Sequence, residues 1–342
     1  MTSMERVLAA LGHQEPDRVP LSLLLTIHGA RELGLGIKEY FAKPENVVEG
    51  QLRMLKKYRH DCVNAFCAAS IALEAFGGEI IWFEDGSPSS GEPIITTEQD
   101  ILSLQVPEIS TTPSLVNMLK SIELLKEKVG GEVPIMGIVL SPFSLPVLQM
   151  GFSSYIELMH DRPELFHRLM EVNQEFCIAL ANAQIQAGAT AICYFDGLLS
   201  PAITAGEHLE AGFQVARNTL ARINSPAGIH MATAATLPVI EQVISAGAIM
   251  IGVSIMDDLA ELKTVCRNRL TILGNLNGVE MCRWTPRQAE KTVKEVIATA
   301  APGGGFILAD NGDIPWQVSE EILMAISEAA HTWGRYPVCC SN

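Results

Sequence analysis

The sequence predicts an α/β fold, a (β/α)₈ TIM barrel in which residues 1–342 form a single domain. Short apolar runs alternate with amphipathic helical stretches, and strands separated by helices pair in parallel. The apolar runs are nearly continuous, which indicates strands buried on both faces. About eight strand-then-helix units follow one another, as in a barrel. An open doubly wound sheet predicts the same alternation, but no G-x-G-x-x-G follows the first strand, so the barrel is favoured.

The first half of the chain carries a helical extension before the first strand and an insertion later on. The segment GGEIIWFEDGSPSSGEPIITT combines alternating hydrophobicity with turn residues, which is typical of a small hairpin-like insertion. Periodicity predicts the following elements here: helix 4–12, strand 19–26, helix 45–58, a strand at the beginning of DCVNAFCAAS, helix 113–129 and strand 134–142.

The second half is more regular. Pro163 predicts a kink in a long helix that ends at Gly188. The glycines at 303–305 precede a strand and do not open a helix, which weakens a dinucleotide-binding interpretation. The predicted elements are helix 154–187, strand 189–197, helix 205–223, strand 227–232, helix 237–246, strand 248–254, helix 258–266, strand 270–278, helix 286–300, strand 304–312 and helix 318–333.

Composition excludes several classes of partner. The net charge is −15 with the acidic residues dispersed, which argues against a nucleic-acid groove or a polybasic membrane surface. No run of 18 apolar residues predicts a membrane span, and the charged beginning MTSMERVLAALGHQEPDRVP lacks the apolar core of a signal peptide. The eight cysteines include no CxxC pair, and the adjacent Cys339 and Cys340 fit neither a zinc knuckle nor a disulfide framework. A reducing, cytoplasmic location is expected.

Polar residues gather where the late strands end. Catalytic residues of such barrels lie at the C-terminal ends of the strands, so these positions predict an active site without any motif. The residues concerned are Asp196 in CYFDG, His230 in GIHMA, Ser254 with Asp257 and Asp258 in GVSIMDD, Asn275 and Asn277 in LGNLNG, and Asp310, Asn311 and Asp313 in LADNGD.

Each of these residues also has a structural explanation. Asp196 and Asp310 are the hardest to explain structurally, because each ends a strongly apolar strand where an unpaired carboxylate would be costly. The alternatives are helix capping for Asp257 and Asp258, turn formation for Asn277 and Asn311, and a satisfied structural role for His230. From the early strands, His28, Asn64 and Ser70 could line the same mouth, and Trp82, Phe83 and Phe143 could form an apolar wall for a flat ligand or belong to the core or rim.

Four segments carry a family resemblance that covers essentially the whole chain. They are PDRVP after the first helix, the strand ends GIH and LGNLNG, and the closing DIPW…EEILMAISEAAHTWGRYP. The chain resembles the uroporphyrinogen decarboxylase superfamily, and within it the methylcobamide:coenzyme M methyltransferases and their corrinoid-dependent relatives. The decarboxylase itself is disfavoured, because its substrate-binding M-R-Q-A-G-R stretch is absent. The corresponding LLLTIHGARELG holds a single arginine, Arg31.

The resemblance implies a zinc site that this sequence does not retain. The coenzyme M enzymes bind zinc through a His-x-Cys at the end of the fifth strand and a cysteine before the Ile-Pro that follows the eighth. Here His230 is kept, but Ala232 replaces the first cysteine and Gly312 stands at the place of the second. Cys193 and Cys282 do not obviously substitute for them. We therefore expect no dedicated zinc–thiolate site.

The resemblance then points to a zinc-free branch, the methylcorrinoid:tetrahydrofolate methyltransferases of anaerobic demethylation, including glycine betaine use. A methyl group would pass from a corrinoid on a separate small protein to N5 of tetrahydrofolate. A carboxylate can bind the paired donors of a pterin edge, and an asparagine amide can face N5. We assign Asp196 or Asp310 to the pterin edge and Asn275 or Asn311 to the vicinity of N5. His230 is retained beside them, and Ser254, Asp257 and Asn277 complete the candidate set.

Three alternatives stay open at this point. One is a thiol methyltransferase that recruits zinc through His230 and carboxylates such as Asp310. Another is a decarboxylase that acts on a porphyrin-like or smaller acid. The third is a catalytically silent binding protein, for example a chaperone for the corrinoid protein. A homodimer is compatible with the resemblance, but no residue specifies it.

Overall fold

The computed structural model describes residues 1–204 and 206–338 of the chain. Cys339 and Cys340, noted above, lie outside the described residues. Among these residues no helix is long and apolar enough to cross a membrane.

Eight parallel strands form the centre of the molecule and confirm the predicted TIM-barrel-like fold. Their spatial order, β1-β10-β9-β8-β7-β6-β5-β2, is that of a barrel. At the seam between β1 and β2 the backbone N–H of Asp61 donates to the carbonyl of Leu21 at 2.6 Å. The strands are β1 (Leu21–Ser22), β2 (Val63–Asn64), β5 (Ile135–Leu140), β6 (Ala191–Phe195), β7 (Ala227–His230), β8 (Met250–Gly252), β9 (Thr271–Leu276) and β10 (Phe306–Asp310). The predicted insertion is an antiparallel hairpin of β3 (Ile80–Ile81) and β4 (Ser89–Ser90).

Helices surround the strands. The first half contributes α1 (Ser3–Leu11), α2 (His28–Leu33), α3 (Ile37–Ala42), α4 (Pro44–Tyr58), α5 (Ile71–Ala75), α6 (Glu98–Ser103), α7 (Pro113–Val129), α8 (Leu145–Met150), α9 (Phe152–Asp161) and α10 (Pro163–Ala187). The second half contributes α11 (Gly206–Leu220), α12 (Ile240–Ser245), α13 (Leu259–Cys266), α14 (Gly278–Met281), α15 (Pro286–Ala300) and α16 (Glu320–Trp333). Short 3₁₀ turns lie at Ile109–Thr111 and Leu237–Val239.

The observed elements differ from the predicted ones in length, and six short helices were not predicted: α2, α3, α5, α6, α8 and α14. The helix predicted at 154–187 is interrupted at Arg162, because Pro163 begins a new helix at its first position instead of kinking one helix. The segment predicted as helix 237–246 starts as a 3₁₀ turn. Every barrel strand is shorter than its predicted run, because residues at one or both ends of the run enter the connecting loops.

Helix α1 closes the N-terminal end of the barrel. It begins with a capping box between Thr2 and Glu5, and its residues Val7 and Ala10 pack against lumen residues that include Met250. The opposite end, where the strands lead into the longer loops, is therefore the end through which a ligand can enter.

A buried ion cluster attaches α1 to the seam between β1 and β2. The fully buried carboxylate of Asp61 accepts hydrogen bonds from Arg6 and Arg18 at 2.7 Å each, and from the backbone N–H of Leu21 at 2.8 Å. Asp17 forms a second contact with Arg6 at 2.7 Å. Because Asp61 and Arg6 are buried, loss of either one would leave a buried charge without its partner.

Candidate active site at the barrel mouth

A small cavity lies in the barrel lumen just below the mouth, and we call it the lumen cavity. It is lined by Ser22, Leu23, Leu24, Cys62, Val63, Asn64, Met136, Ile138, Cys193, Phe195, His230, Leu273, Ala309 and Asp310. Of the early candidates, only Asn64 is among these residues. Two of the predicted site residues, His230 and Asp310, therefore face the same space.

His230 is held in one orientation at the end of β7. Its ring stacks on Phe195 with 4.3 Å between ring centroids, and it occupies the space that a side chain at Gly252 would need. The backbone N–H of Ala232 donates to Nδ1 at 3.0 Å. Burial lowers the pKa of His230 to about 4, so the ring is neutral near pH 7 and carries its proton on Nε2. His230 is thus a fixed neutral hydrogen-bond donor.

Asp310 ends β10 and is almost fully buried. The backbone N–H of Leu24 donates to its Oδ1 at 2.9 Å, and no cationic side chain of the described residues forms an ion pair with it. Burial, together with the nearby charge of Asp313, raises the pKa of Asp310 to about 7. Burial also raises the pKa of Asp313 to about 7. Two carboxyl groups at this mouth can therefore take up or release a proton near neutral pH.

A larger cleft of about 430 Å³ opens above the lumen between the loops that follow β7, β8, β9 and β10, and we call it the rim cleft. Its lining includes Ser254, Asn277, Asn311 and Asp313 among the residues predicted from the sequence. Its remaining lining residues are Ala232, Thr233, Ile255, Met256, Gly278, Val279 and Gly312. The loops that follow β7, β8, β9 and β10 therefore converge on one cleft.

Several of the predicted residues also have structural tasks. Asn277 caps α14 through the backbone N–H of Val279, and Asn311 accepts from the backbone N–H of Gly278 at 3.2 Å. Asn275 donates from Nδ2 to the carbonyl of Ser254 at 3.2 Å. Of these three amides, Asn277 and Asn311 line the rim cleft.

The two aspartates after β8 both accept hydrogen bonds from backbone N–H groups. Asp257 accepts from the backbone and hydroxyl of Thr236 and from the backbone of Leu237, and it lines neither the lumen cavity nor the rim cleft. Asp258 caps α13, with 2.8 Å from the backbone N–H of Ala260 to its Oδ1. The predicted capping of the following helix therefore holds for Asp258, whereas Asp257 binds the start of the preceding 3₁₀ turn.

Asp196 is placed apart from the other candidates. Because Cys193 and Phe195 face the lumen, alternation turns Tyr194 and Asp196 towards the helix layer. There Asp196 accepts from the hydroxyl of Ser144 at 2.7 Å and is fully buried, while its Oδ2 has no hydrogen-bond partner among the described residues. Burial raises its pKa to about 6.

The early candidates are dispersed. His28 contacts the carbonyl of Ile314 at 3.2 Å, and Ser70 donates to the carbonyl of Pro88. Phe143 is fully buried in the core, whereas Phe83 is exposed and Trp82 lines a separate cleft. Sequence reasoning missed Phe195, whose stacking on His230 followed from no motif.

The positions implied for zinc ligands face the mouth. Ala232 and Gly312 both line the rim cleft, and His230 lies directly below it. A methyl group and a glycine offer no metal-binding atom, and Nδ1 of His230 already accepts from Ala232. Among residues 1–204 and 206–338, no group of three or more His, Cys, Asp and Glu side chains is arranged to hold a metal ion. The residues present at these positions therefore do not fit a zinc–thiolate centre.

The chain is similar in sequence to the proteins of one family. The family model described as "Uroporphyrinogen decarboxylase (URO-D)" matches residues 2–333. The uroporphyrinogen decarboxylase of Cellvibrio japonicus is 25% identical over 357 residues, covering 96% of each chain. That of Ralstonia pickettii is 27% identical over 331 residues, covering 87% of this chain and 86% of its own.

Two solved structures share the fold. A methyltransferase from Methanosarcina mazei superposes with a TM-score of 0.86 at 21% identity, covering 97% of this chain and 98% of its own. A B12-independent methionine synthase from Shewanella sp. W3-18-1 superposes with a TM-score of 0.53 at 11% identity, covering 84% and 85%.

Proposed function

The chain belongs to the uroporphyrinogen decarboxylase family, and from that premise we propose that it is a zinc-free methylcorrinoid protein:tetrahydrofolate methyltransferase. One observation carries the proposal. A neutral imidazole donor, His230, and a carboxyl that forms no ion pair with a described residue, Asp310, line the same lumen cavity. Ala232 and Gly312 stand beside them in place of metal ligands. A thiol acceptor would need a metal to hold it as a thiolate, whereas a pterin needs fixed donors and acceptors.

The rim cleft has the size and polarity for a pterin ring. Its volume of about 430 Å³ suits a small ligand, and amide groups of Asn277 and Asn311 line it above the lumen. We assign Asp310 to the polar edge of the pterin, because it faces the lumen and Asp196 faces the helix layer. Asn311 and Asn275 are assigned to the neighbourhood of N5. Asn275 is held there by its hydrogen bond to the carbonyl of Ser254, in the loop after β8.

The reaction is an in-line methyl transfer. The lone pair of N5 forms the new N–C bond while the cobalt–carbon bond of the corrinoid substrate breaks, and that electron pair stays on cobalt. N5 then loses its proton. A carboxyl group whose pKa lies near 7 can accept this proton and release it to solvent, which is the role proposed for Asp313, which lines the rim cleft. The barrel otherwise supplies orientation and a mouth shielded from water.

The corrinoid would arrive on a partner protein. Three apolar side chains at the rim cleft, Ile255, Met256 and Val279, are exposed, and Met256 and Val279 each expose about 70% of their surface. Exposed apolar side chains grouped around a cleft are typical of a contact surface. They suit the protein that presents the methylated corrinoid during anaerobic demethylation, such as that of glycine betaine.

The test is a titration of the purified protein with tetrahydrofolate and with coenzyme M, followed by assays with a methylated corrinoid protein. We expect binding and methylation of tetrahydrofolate, activity that survives chelators, and far less than one zinc per chain. Asp310→Asn should lower kcat/KM about 100-fold, since the carboxylate that orients the pterin is lost. Asp258→Asn, at a helix cap, is the matched control. Stoichiometric zinc with a thiol as the preferred acceptor would refute the proposal.

A decarboxylase is the second candidate, because the curated relatives that match carry that name. Its carboxylate-rich substrate calls for cationic groups at the mouth. No arginine or lysine lines the lumen cavity or the rim cleft, and Arg31 instead stacks on Trp316 at 4.2 Å and donates to the carbonyl of Val318. Release of carbon dioxide from uroporphyrinogen by the purified protein would favour this candidate over methyl transfer.

A further inference from the structure

A second cleft of about 430 Å³ lies beside the barrel mouth, and we call it the outer cleft. It is bounded by α3, α7, the loop after β2 and the β3–β4 hairpin. Phe41 and Trp82 line it with 6.3 Å between their ring centroids. None of the residues assigned to the reaction lines this cleft, so the proposed reaction alone gives it no task.

The outer cleft adjoins the candidate active site at two points. Asn64 lines the lumen cavity, and Ala65 and Cys67 line the outer cleft, so three residues of chain, at most about 11 Å, connect the two spaces. Asp313 lines the rim cleft, and its charge contributes to the raised pKa of the buried Cys67 thiol, which places the two side chains near each other. The tail of a ligand longer than a pterin would have to pass residues 64–67 to reach the outer cleft from the mouth.

The outer cleft is lined by two aromatic rings, two carboxylates, Glu74 and Glu79, and one cation, Lys38. Glu74 is engaged, because its Oε2 accepts from both the backbone N–H and the hydroxyl of Ser114. In the described part of the chain, the ammonium of Lys38 forms no salt bridge or hydrogen bond, and neither does the indole N–H of Trp82. Both are therefore available as donors. Glu79 is exposed, so a ligand carboxylate would lie on the Lys38 side.

We infer that the outer cleft binds the p-aminobenzoyl-glutamate tail of the reduced folate. The inference rests on the proposed function, since it extends the substrate of the same site. The benzoyl ring stacks against Trp82 and Phe41, the amide carbonyl accepts from the indole N–H, and a glutamate carboxylate pairs with Lys38. Recognition of the tail is thereby separate from the chemistry at N5.

The experiment compares two ligands by isothermal titration, which needs no corrinoid partner. One is tetrahydrofolate and the other is 6-methyltetrahydropterin, which keeps the pterin and lacks the tail. We expect Trp82→Ala to weaken tetrahydrofolate binding about tenfold and to leave the affinity for the tail-less pterin unchanged. Lys38→Ala should weaken tetrahydrofolate binding about threefold at low salt and less at high salt. Phe83→Ala, at the exposed neighbouring position, is the matched control.

The outcomes separate this inference from the proposed function. If wild-type protein binds both ligands with equal affinity, or if Trp82→Ala weakens both equally, the tail subsite is refuted while pterin binding stands. If wild-type protein binds neither ligand, the proposed function itself fails. Loss of affinity confined to tetrahydrofolate supports the subsite, and a circular dichroism spectrum shows whether each variant is folded.

Discussion

Asp310→Asn is expected to stabilise the fold as the pH rises, although it removes a residue assigned to the reaction. Burial raises the pKa of Asp310 from 3.8 to about 7, so ionising this carboxyl in the folded protein costs about 4 kcal/mol as an upper bound. The folded state therefore binds a proton more tightly than the unfolded state, and stability is lost as pH rises from about 4 through 7. Asparagine has no such cost and keeps an oxygen for the N–H of Leu24.

The assay is urea unfolding of wild type and variant at several pH values from 5 to 8. The free energy of unfolding of the variant should exceed that of wild type by a margin that widens with pH and levels off above 7. Asp17→Asn is the control of opposite sign, because Arg6 holds the pKa of Asp17 at about 2 and its deficit should stay constant over this range. A margin for Asp310→Asn that is flat or narrows as pH rises would refute the reasoning.

Two further variants test the frame around the site. Asp61→Ala should lower the free energy of unfolding by about 3–5 kcal/mol in urea melts, because Arg6 and Arg18 lose their buried carboxylate. Asp17→Ala, whose carboxylate is 43% exposed, should cost less than about 1 kcal/mol, and equal losses would contradict the distinction. Gly252→Ala should displace the His230 ring and lower kcat/KM about tenfold or more with an unchanged circular dichroism spectrum. Gly197→Ala, where a side chain meets open space, should retain activity, and full activity of both variants would remove His230 from the site.

The barrel and its mouth could be predicted because both follow from local patterns. Apolar runs mark buried strands, and polar residues at their ends fall at one edge of a parallel sheet, which brought His230, Asn311 and Asp310 to one mouth. Helix boundaries could also be predicted where a proline or a glycine determines them, as at Gly188.

The direction in which a single side chain points could not be predicted from the sequence. Asp196 and Asp310 both end apolar strands, yet one faces the helix layer and the other the lumen. That difference depends on the register of each strand, and a shift of one residue reverses the face. The outer cleft was also out of reach, because Phe41 and Trp82 are far apart in sequence and meet only through tertiary packing.

The pairing of β1 with β10 has a consequence for how the protein is made. Leu21 in β1 pairs with Leu308 in β10, so this pairing can form only after the last barrel strand has been synthesised. Through most of synthesis the edge of β1 that pairs with β10 is therefore unpaired, and an unpaired strand edge favours aggregation. β1 is only two residues long, which keeps this exposed edge short until the barrel closes.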